Sequence, residues 1–320
     1  MAREARRVLP TDLLALVTYQ GRSYRNEAWT RERLGADESQ RPLGLVLDKF
    51  LAFSRGRSAW ISVRRQRLQG LVGARRRGGR AAWEIDYLVD ATPGHETVVG
   101  LLECAIAEVG RAGAEKLFLR LDADSDLLPV VLEAGFLAYQ EEVLYCGQSG
   151  SRAIGQSATT DSIPMRPVLP SDSYLLFRLY SATTPEATRR AEAATFGEWH
   201  AAQERRWLKN GVQLLREEDG QVWAAARAAR LPQGVAVELA LDEAALDETA
   251  AIVAAAAGAV EGGDCPVFVL VPRTAAGVAL RLEEAGFEAR QEFVCLMRRT
   301  TRPQKLLKLQ PAIARNAVGA

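Results

Sequence analysis

The chain repeats itself at long range. Glu133-Ala134-Gly135-Phe136, followed by Gln140-Glu141 and Val143, returns as Glu284-Ala285-Gly286-Phe287 with Gln291-Glu292 and Val294, each residue 151 positions further on. Leu9-Pro10-Thr11-Asp12 returns as Leu169-Pro170-Ser171-Asp172, 160 positions on. Two matches in the same order at nearly one spacing point to a duplicated unit. The period is far beyond the roughly 20–50 residues of a solenoid repeat, so each copy is expected to be a whole domain. A length of 320 residues agrees, since it divides into two domains of ordinary size. Residues 147–164 are small, polar and without apolar period, and are expected to link a domain at 1–146 to one at 165–300. Residues 301–320 remain as a tail carrying Lys305, Lys308 and Arg315.

Several function classes are set aside early. A net charge of +1 gives no global attraction to nucleic acid or anionic lipid. No stretch approaches the roughly 20 apolar residues of a membrane span. Met1 to Arg7 carry no apolar signal-peptide core. Cys104, Cys146, Cys265 and Cys295 form no Cys-x-x-Cys pair, and His95 and His200 are the two histidines. Free thiols, no metal centre and a cytoplasmic setting are the expectation.

The apolar period alternates between helix and strand in the same order in each half. Asp12 is placed to cap a helix over Leu13–Thr18, and a second helical region falls within 27–54. Ala59–Val63, Leu68–Ala74 and Ala82–Val89 read as antiparallel strands, the last with Trp83, Ile85, Tyr87 and Val89 on one face and Glu84, Asp86 and Leu88 on the other. Val98, Leu102, Ala105 and Val109 then recur at helical spacing. Lys116–Leu121 is a strand, a short helix precedes Gly135, and Glu141–Cys146 is the closing strand. In the second half Val222–Ala229 and Val235–Leu241 are strands, and Leu246, Ala250, Val253, Ala257 and Val260 form a helical stripe closed by Gly262-Gly263. Pro266–Val271, Ala275–Ala285 and Phe293–Met297 follow as strand, helix and strand. This mixture predicts an α/β (α+β) fold with a mixed, mostly antiparallel sheet flanked by helices in each half. Arg64, Arg65, Arg67, Arg75, Arg76, Arg77 and Arg80 crowd the hairpin region and read as a solvated basic edge that blocks edge-to-edge pairing. The alternative is a docking face for an acidic acceptor or for nucleic acid, though no interleaved aromatics support the latter.

The run from strand Lys116–Leu121 through a short helix to Glu133-Ala134-Gly135-Phe136 and Tyr139–Tyr145 resembles the GNAT-type N-acyltransferase superfamily, and Pro266–Met297 repeats it. The resemblance covers most of both halves as an order of elements and implies two GNAT-like domains. It implies that a β-bulge splays two parallel strands, that the pantetheine arm of acetyl-CoA lies between them, and that its diphosphate meets the N-terminus of the following helix. An acceptor amine, on a small molecule or a protein, would then attack the thioester with a carboxylate as base.

Carried over residue by residue, the resemblance makes Glu84 and Asp86 the candidate bases. Leu88, Val89, Thr92, Gly94, His95 and Thr97 become the candidate cofactor contacts. The family's glycine-rich diphosphate loop is not matched, since Pro93 has no N–H and Glu96 places negative charge near phosphate. In the second half, Asp242, Glu243, Asp247 and Glu248 replace it without a glycine. The tyrosine that often serves as acid is Val131 in one half and Leu282 in the other; Tyr139 and Tyr145 are nearby phenols at non-matching positions, and Glu238 is the nearest second-half equivalent of the base. The first half is therefore expected to be the active one. The alternative is that both halves keep the fold as an inactive binding or regulatory module.

Overall fold

A computed structural model describes residues 5–9, 12, 23–36, 41–42, 56–64, 67–92, 94–148, 163–260 and 265–300. The expectations for Leu13–Thr18, most of the 147–164 linker, Gly262-Gly263 and the tail fall outside these. Among the described residues, twelve strands form one sheet. They are β1 (Arg6–Arg7), β2 (Arg57–Arg64), β3 (Arg67–Arg76), β4 (Ala82–Asp90), β5 (Lys116–Asp122), β6 (Leu137–Gln148), β7 (Arg166–Pro167), β8 (Gly211–Glu218), β9 (Gln221–Leu231), β10 (Gly234–Leu241), β11 (Pro266–Pro272) and β12 (Glu288–Arg299). Their spatial order is β1-β2-β3-β4-β5-β12-β6-β11-β10-β9-β8-β7. Pairing is antiparallel except for β4 with β5 and β10 with β11.

Each half gives its last strand to the other. β12 pairs with β5 of the first half from Phe293↔Asp122 to Arg299↔Lys116, and β6 pairs with β11 of the second from Pro266↔Gln148 to Pro272↔Glu142. The two exchanged strands also pair with each other, Glu142 opposite Phe293. Those two residues are equivalents in the repeat, one offset of 151 apart, so a pseudo-twofold axis passes between them. β6 and β12 are both twelve residues long.

The repeated motifs hold equivalent places. Gly135 and Gly286 follow helices α2 (Leu128–Glu133) and α7 (Ala276–Glu284) with φ of 81° and 83°, the left-handed position that ends a helix. The next residues, Phe136 and Phe287, are buried. Arg6 grips Asp12 at 2.7 Å while Leu9 N donates to the same carboxylate; Arg166, Asp172 and Leu169 repeat the clamp.

Helices cover both faces of the sheet. On one lie α1 (Glu96–Arg111), α2, α6 (Thr249–Gly258) and α7, over apolar clusters that include Leu101, Leu117 and Leu296 in the first half and Val237, Val269 and Ile252 in the second. On the other lie α3 (Ser173–Thr183), α4 (Glu186–Glu192) and α5 (Phe196–Ala202). No helix among the described residues is long and apolar enough to cross a membrane.

Two expectations need correction. On β4 the ladder steps from Gly73↔Tyr87 to Ala74↔Ile85, so Asp86 is an extra, bulged residue. The alternation therefore flips there: Trp83, Ile85 and Leu88 face α1, while Tyr87 and Val89 pack with Ile61 and Leu71. Residues 27–36 are also not helical, apart from one short turn at Arg31–Arg33. They form an extended strap that crosses the sheet from β4 to β11. Its far end, Gly35, has φ +70° and lies against the Phe268 ring, which a Cβ there would overlap. Gly35→Ala should lower stability by about 1–3 kcal/mol, read from the urea midpoint, because it adds strain to overpacking.

Candidate active site

Both halves splay their parallel pair. β4 and β5 pair from Ala82↔Lys116 to Glu84↔Phe118 and then part; β10 and β11 pair from Val235↔Val267 to Glu238↔Leu270 and then part. A glutamate thus stands at the apex of each splay. Beyond the apex, alternate backbone N–H and C=O groups of the parting strands face the gap and need partners.

In the first splay the chain supplies those partners itself. Glu27 N donates to Leu88 O at 2.8 Å on β4, and Trp29 N donates to Arg120 O at 2.9 Å on β5. The Asn26 side chain accepts from Leu88 N at 2.8 Å and donates to Asp86 O at 3.1 Å. Ala28, Trp29 and Thr30 are buried, and the Trp29 ring packs on Phe293 at 5.3 Å. The strap fills the gap as an added strand would.

The second splay opens instead into a cavity of about 650 Å³. Leu239, Ala240 and Leu241 of β10 and Leu270, Val271 and Pro272 of β11 form its splay side, with Ala275 and Val278 behind. Leu176, Leu179 and Tyr180 of α3 and Trp199 of α5 form the opposite wall. The first half closes its end with Arg31, Arg77, Arg120, Tyr139, Gln140 and Glu142. The volume suits a small organic ligand. It is a composite site, made by both halves.

Its charged end is a buried lattice. Glu204 contacts Arg31, and Arg77 and Arg120 at 2.9 and 3.2 Å; Glu142 takes Arg120 at 2.7 Å and the Cys295 thiol at 3.1 Å. Glu238 contacts Arg31 at 3.0 Å and also Arg227. Burial pushes both the Glu204 and Glu142 carboxyls up, but the arginines outweigh it and hold them below the usual range, Glu204 well below. Glu192 differs. It lines the cavity, its side chain is 24% exposed, and its one ion pair among the described residues is to Arg77 Nη1 at 3.6 Å. Burial raises its pKa, and Arg77 and Arg31 offset only part of that. Tyr139 is the extra residue where β6 shifts register between Gln140↔Cys295 and Ala138↔Leu296, a bulge that re-aims its side chain. Burial holds its hydroxyl well above the ordinary phenol pKa, so it stays protonated near neutral pH.

The residues picked from sequence cluster around the filled splay. Glu84 and Asp86 are both buried on Arg75, with Nε at 2.5 Å from Glu84 and 3.5 Å from Asp86; Arg57 also meets Asp86. Burial raises both carboxyls, against the pull of Arg75. Neither lines the cavity. Leu88 and Val89 are buried, and both backbone groups of Leu88 are taken by the strap. Thr92 donates through its hydroxyl to Asp90 at 2.9 Å, and the His95 ring meets the other Asp90 oxygen at 2.6 Å. Gly94 and His95 both have positive φ, and nothing crowds Gly94; Thr97 is buried. The loop before α1 is thus gathered on Asp90.

The basic edge is corrected too. Arg75 and Arg77 are not solvated but are buried counter-ions, Arg75 to Glu32, Glu84 and Asp86, and Arg77 to Glu84, Glu192 and Glu204. Val131 and Leu282, at the family's tyrosine position, are fully buried in the apolar clusters. Tyr145 donates to Glu283 at 3.1 Å. Glu192, Glu204, Arg31 and Arg120 carry no motif in the sequence, and only the fold brings their separate segments together. In the second loop, Asp242 caps the turn Glu243–Glu248, Asp247 meets Arg281 at 2.5 Å, and Glu248 meets Arg216 at 2.7 Å. Among the described residues no group of three or more His, Cys, Asp or Glu could hold a metal ion.

No protein-family model matches the chain, and no curated protein matches it. Solved structures do. A GCN5-related N-acetyltransferase from Sphaerobacter thermophilus superposes with a TM-score of 0.51 at 12% identity, covering 94% of this chain and 96% of that one. A proposed acetyltransferase from Pyrococcus horikoshii gives 0.50 at 12%, over 93% and 90%. A conserved protein of unknown function from Staphylococcus epidermidis gives 0.50 at 12%, over 78% and 94%. At such identity the likeness is one of fold: the chain carries the fold of the GCN5-related N-acetyltransferases.

Proposed function

We propose that the chain is an acyl-CoA-dependent N-acyltransferase whose chemistry runs in the cavity of its second half. The observation that carries this reading is the contrast between the splays: one is filled by residues 26–29, the other opens into a cavity made by both halves. It departs from the expectation of an active first half. The reading gives the pantetheine arm the free backbone edge of Leu239–Leu241, as an added strand, with the thioester near Glu238. The acceptor amine would enter from the α3–α5 side. Once the ammonium has lost one proton its nitrogen attacks the thioester carbon, the C–S bond breaks, and the departing thiolate takes, through water, the second proton that the nitrogen sheds. Glu192 takes the proton that the ammonium must lose, and its raised pKa suits that role. A cytoplasmic setting, where acyl-CoA is available, belongs to the same proposal.

A second reading has its own support. Asp242 and Glu243, without an ion pair among the described residues, sit where a diphosphate would rest, in a loop without glycine, and this favours a module that binds an amine without transferring an acyl group.

Calorimetric titration with acetyl-CoA separates these readings. One site per chain is expected, abolished by Ala240→Trp, which fills the splay, and unchanged by Gly94→Asp. The opposite pattern would return the donor to the first half, and no binding would favour the module. With an active acceptor, Glu192→Gln should lower kcat by roughly 10²–10⁴-fold and remove the acidic limb of the pH–rate profile. The same change removes a buried charge with one distant partner, so stability near neutral pH should rise rather than fall. A raised acid contributes stability below its unfolded pKa and loses it as pH rises through the folded value, so the gain should vanish on acidification.

A further inference from the structure

We infer that Glu192, Tyr180 and Trp199 form a subsite for a single ammonium group carried on a flat apolar body, and that the acceptor is a monocation. The word acceptor rests on the proposed reaction; the subsite rests on the cavity alone.

The cavity's other three carboxylates are spoken for. Glu142, Glu204 and Glu238 each contact two or more arginines. Glu192 contacts one, at 3.6 Å, and that arginine is shared with Glu204 at 2.9 Å and Glu84 at 3.4 Å. An ionised carboxylate three-quarters out of water wants a closer cation than this, and one ammonium would supply it. Two such cations would not be matched, since no further carboxylate of the lattice is short of partners.

The walls beside Glu192 suit the rest of the ligand. The Tyr180 and Trp199 rings lie 6.2 Å apart at 40° and both line the cavity. The Tyr180 hydroxyl donates to Ala193 O at 3.3 Å, which ties its ring to the residue next to Glu192. An aromatic face attracts a cation, most strongly when water is excluded. Leu176 and Leu179 continue that wall without a charge. At this end Arg31, Arg77 and Arg120 are committed to glutamates and add no uncompensated positive charge beside Glu192.

The test is calorimetry on the full chain without acyl donor, with 2-phenylethylamine as the probe. It should bind, and Glu192→Gln should weaken it by roughly 10–100-fold. Trp199→Leu should weaken it by roughly 2–30-fold. The neutral 2-phenylethanol and the polycation spermidine should each bind at least tenfold less tightly. Equal binding of the alcohol, tighter binding of spermidine, or no effect of Glu192→Gln would overturn the subsite. Acetyl-CoA titration of the same samples keeps the two proposals apart. Donor binding without amine selectivity removes the subsite and leaves acyl transfer standing. Amine selectivity without donor binding does the reverse.

Discussion

A chain ended at Gly286, which lacks β12, is expected to lose the cooperative unfolding of both halves. β12 supplies the antiparallel partner of β5 over seven residue pairs and of β6 over nine, so its loss strips a strand from the middle of the sheet. It also takes Phe293, Val294, Leu296 and Met297 from three apolar clusters, side chains worth roughly 1.5–3 kcal/mol each when buried. The unfolding free energy of an ordinary domain is about 5–15 kcal/mol, so the deficit is decisive. β5 and β6 would be left as open, apolar edges that invite aggregation. For the same reason fragments 1–148 and 149–320 should each be poorly soluble alone, yet form a folded 1:1 complex when co-expressed. Circular dichroism melts and gel filtration read the outcome. A sharp transition in either lone fragment would show that the exchange is dispensable.

Arg120→Met should be the most damaging single substitution in the site, costing about 3–5 kcal/mol at neutral pH. The guanidinium is buried and holds Glu142 at 2.7 Å and Glu204 at 3.2 Å, and the thioether fills much of its volume without its charge. Both carboxyls lie below their ordinary value of 4.5 in the folded chain. A depressed acid stabilises the fold above its unfolded pKa and loses that contribution as pH falls through the folded value. The gap between wild type and variant should therefore be widest above about pH 5 and narrow below 4.5. Adding Glu142→Gln to Arg120→Met should recover part of the loss, since it removes one of the two stranded charges. Urea melts at pH 7 and pH 4 on the single and double variants measure both effects. A pH-independent deficit would mean that packing, not charge, is what Arg120 contributes.

The parts of this architecture legible in sequence are those with a short-range signature. Gly135-Phe136 and Gly286-Phe287 announced the duplication because a left-handed helix end needs glycine and the next residue is buried, whatever surrounds them. The strands at 82–90 and 234–241 and the helix at 96–111 could be placed from period alone. The bulge at Asp86 could not, because one extra residue leaves an alternating pattern looking continuous while it turns Leu88 to the other face. The strap falls at the start of the 27–54 region expected to be partly helical, and it is extended because the gap between β4 and β5 offers it hydrogen bonds. The site was the least legible part. Arg31, Arg120, Glu142 and Glu204 are brought together from four separate segments, and no local rule distinguishes a buried arginine such as Arg77 from a solvated one such as Arg80. Glu84 and Glu238 were recognisable as a pair, and each does stand at the apex of its splay.

The axis between Glu142 and Phe293 has a consequence of its own. In a dimer of identical chains whatever lies on the twofold meets itself, so a glutamate there would face a second glutamate at close range, and a phenylalanine would offer no charge to either side. Covalent fusion of the two copies lifts that constraint. One side of the axis can carry an anion that meets two arginines, while the other carries a ring that seats Trp29. A filled gap on one side and an open chamber on the other are then compatible within a single sheet. A gene encoding both copies can alter each independently, and a homodimer cannot.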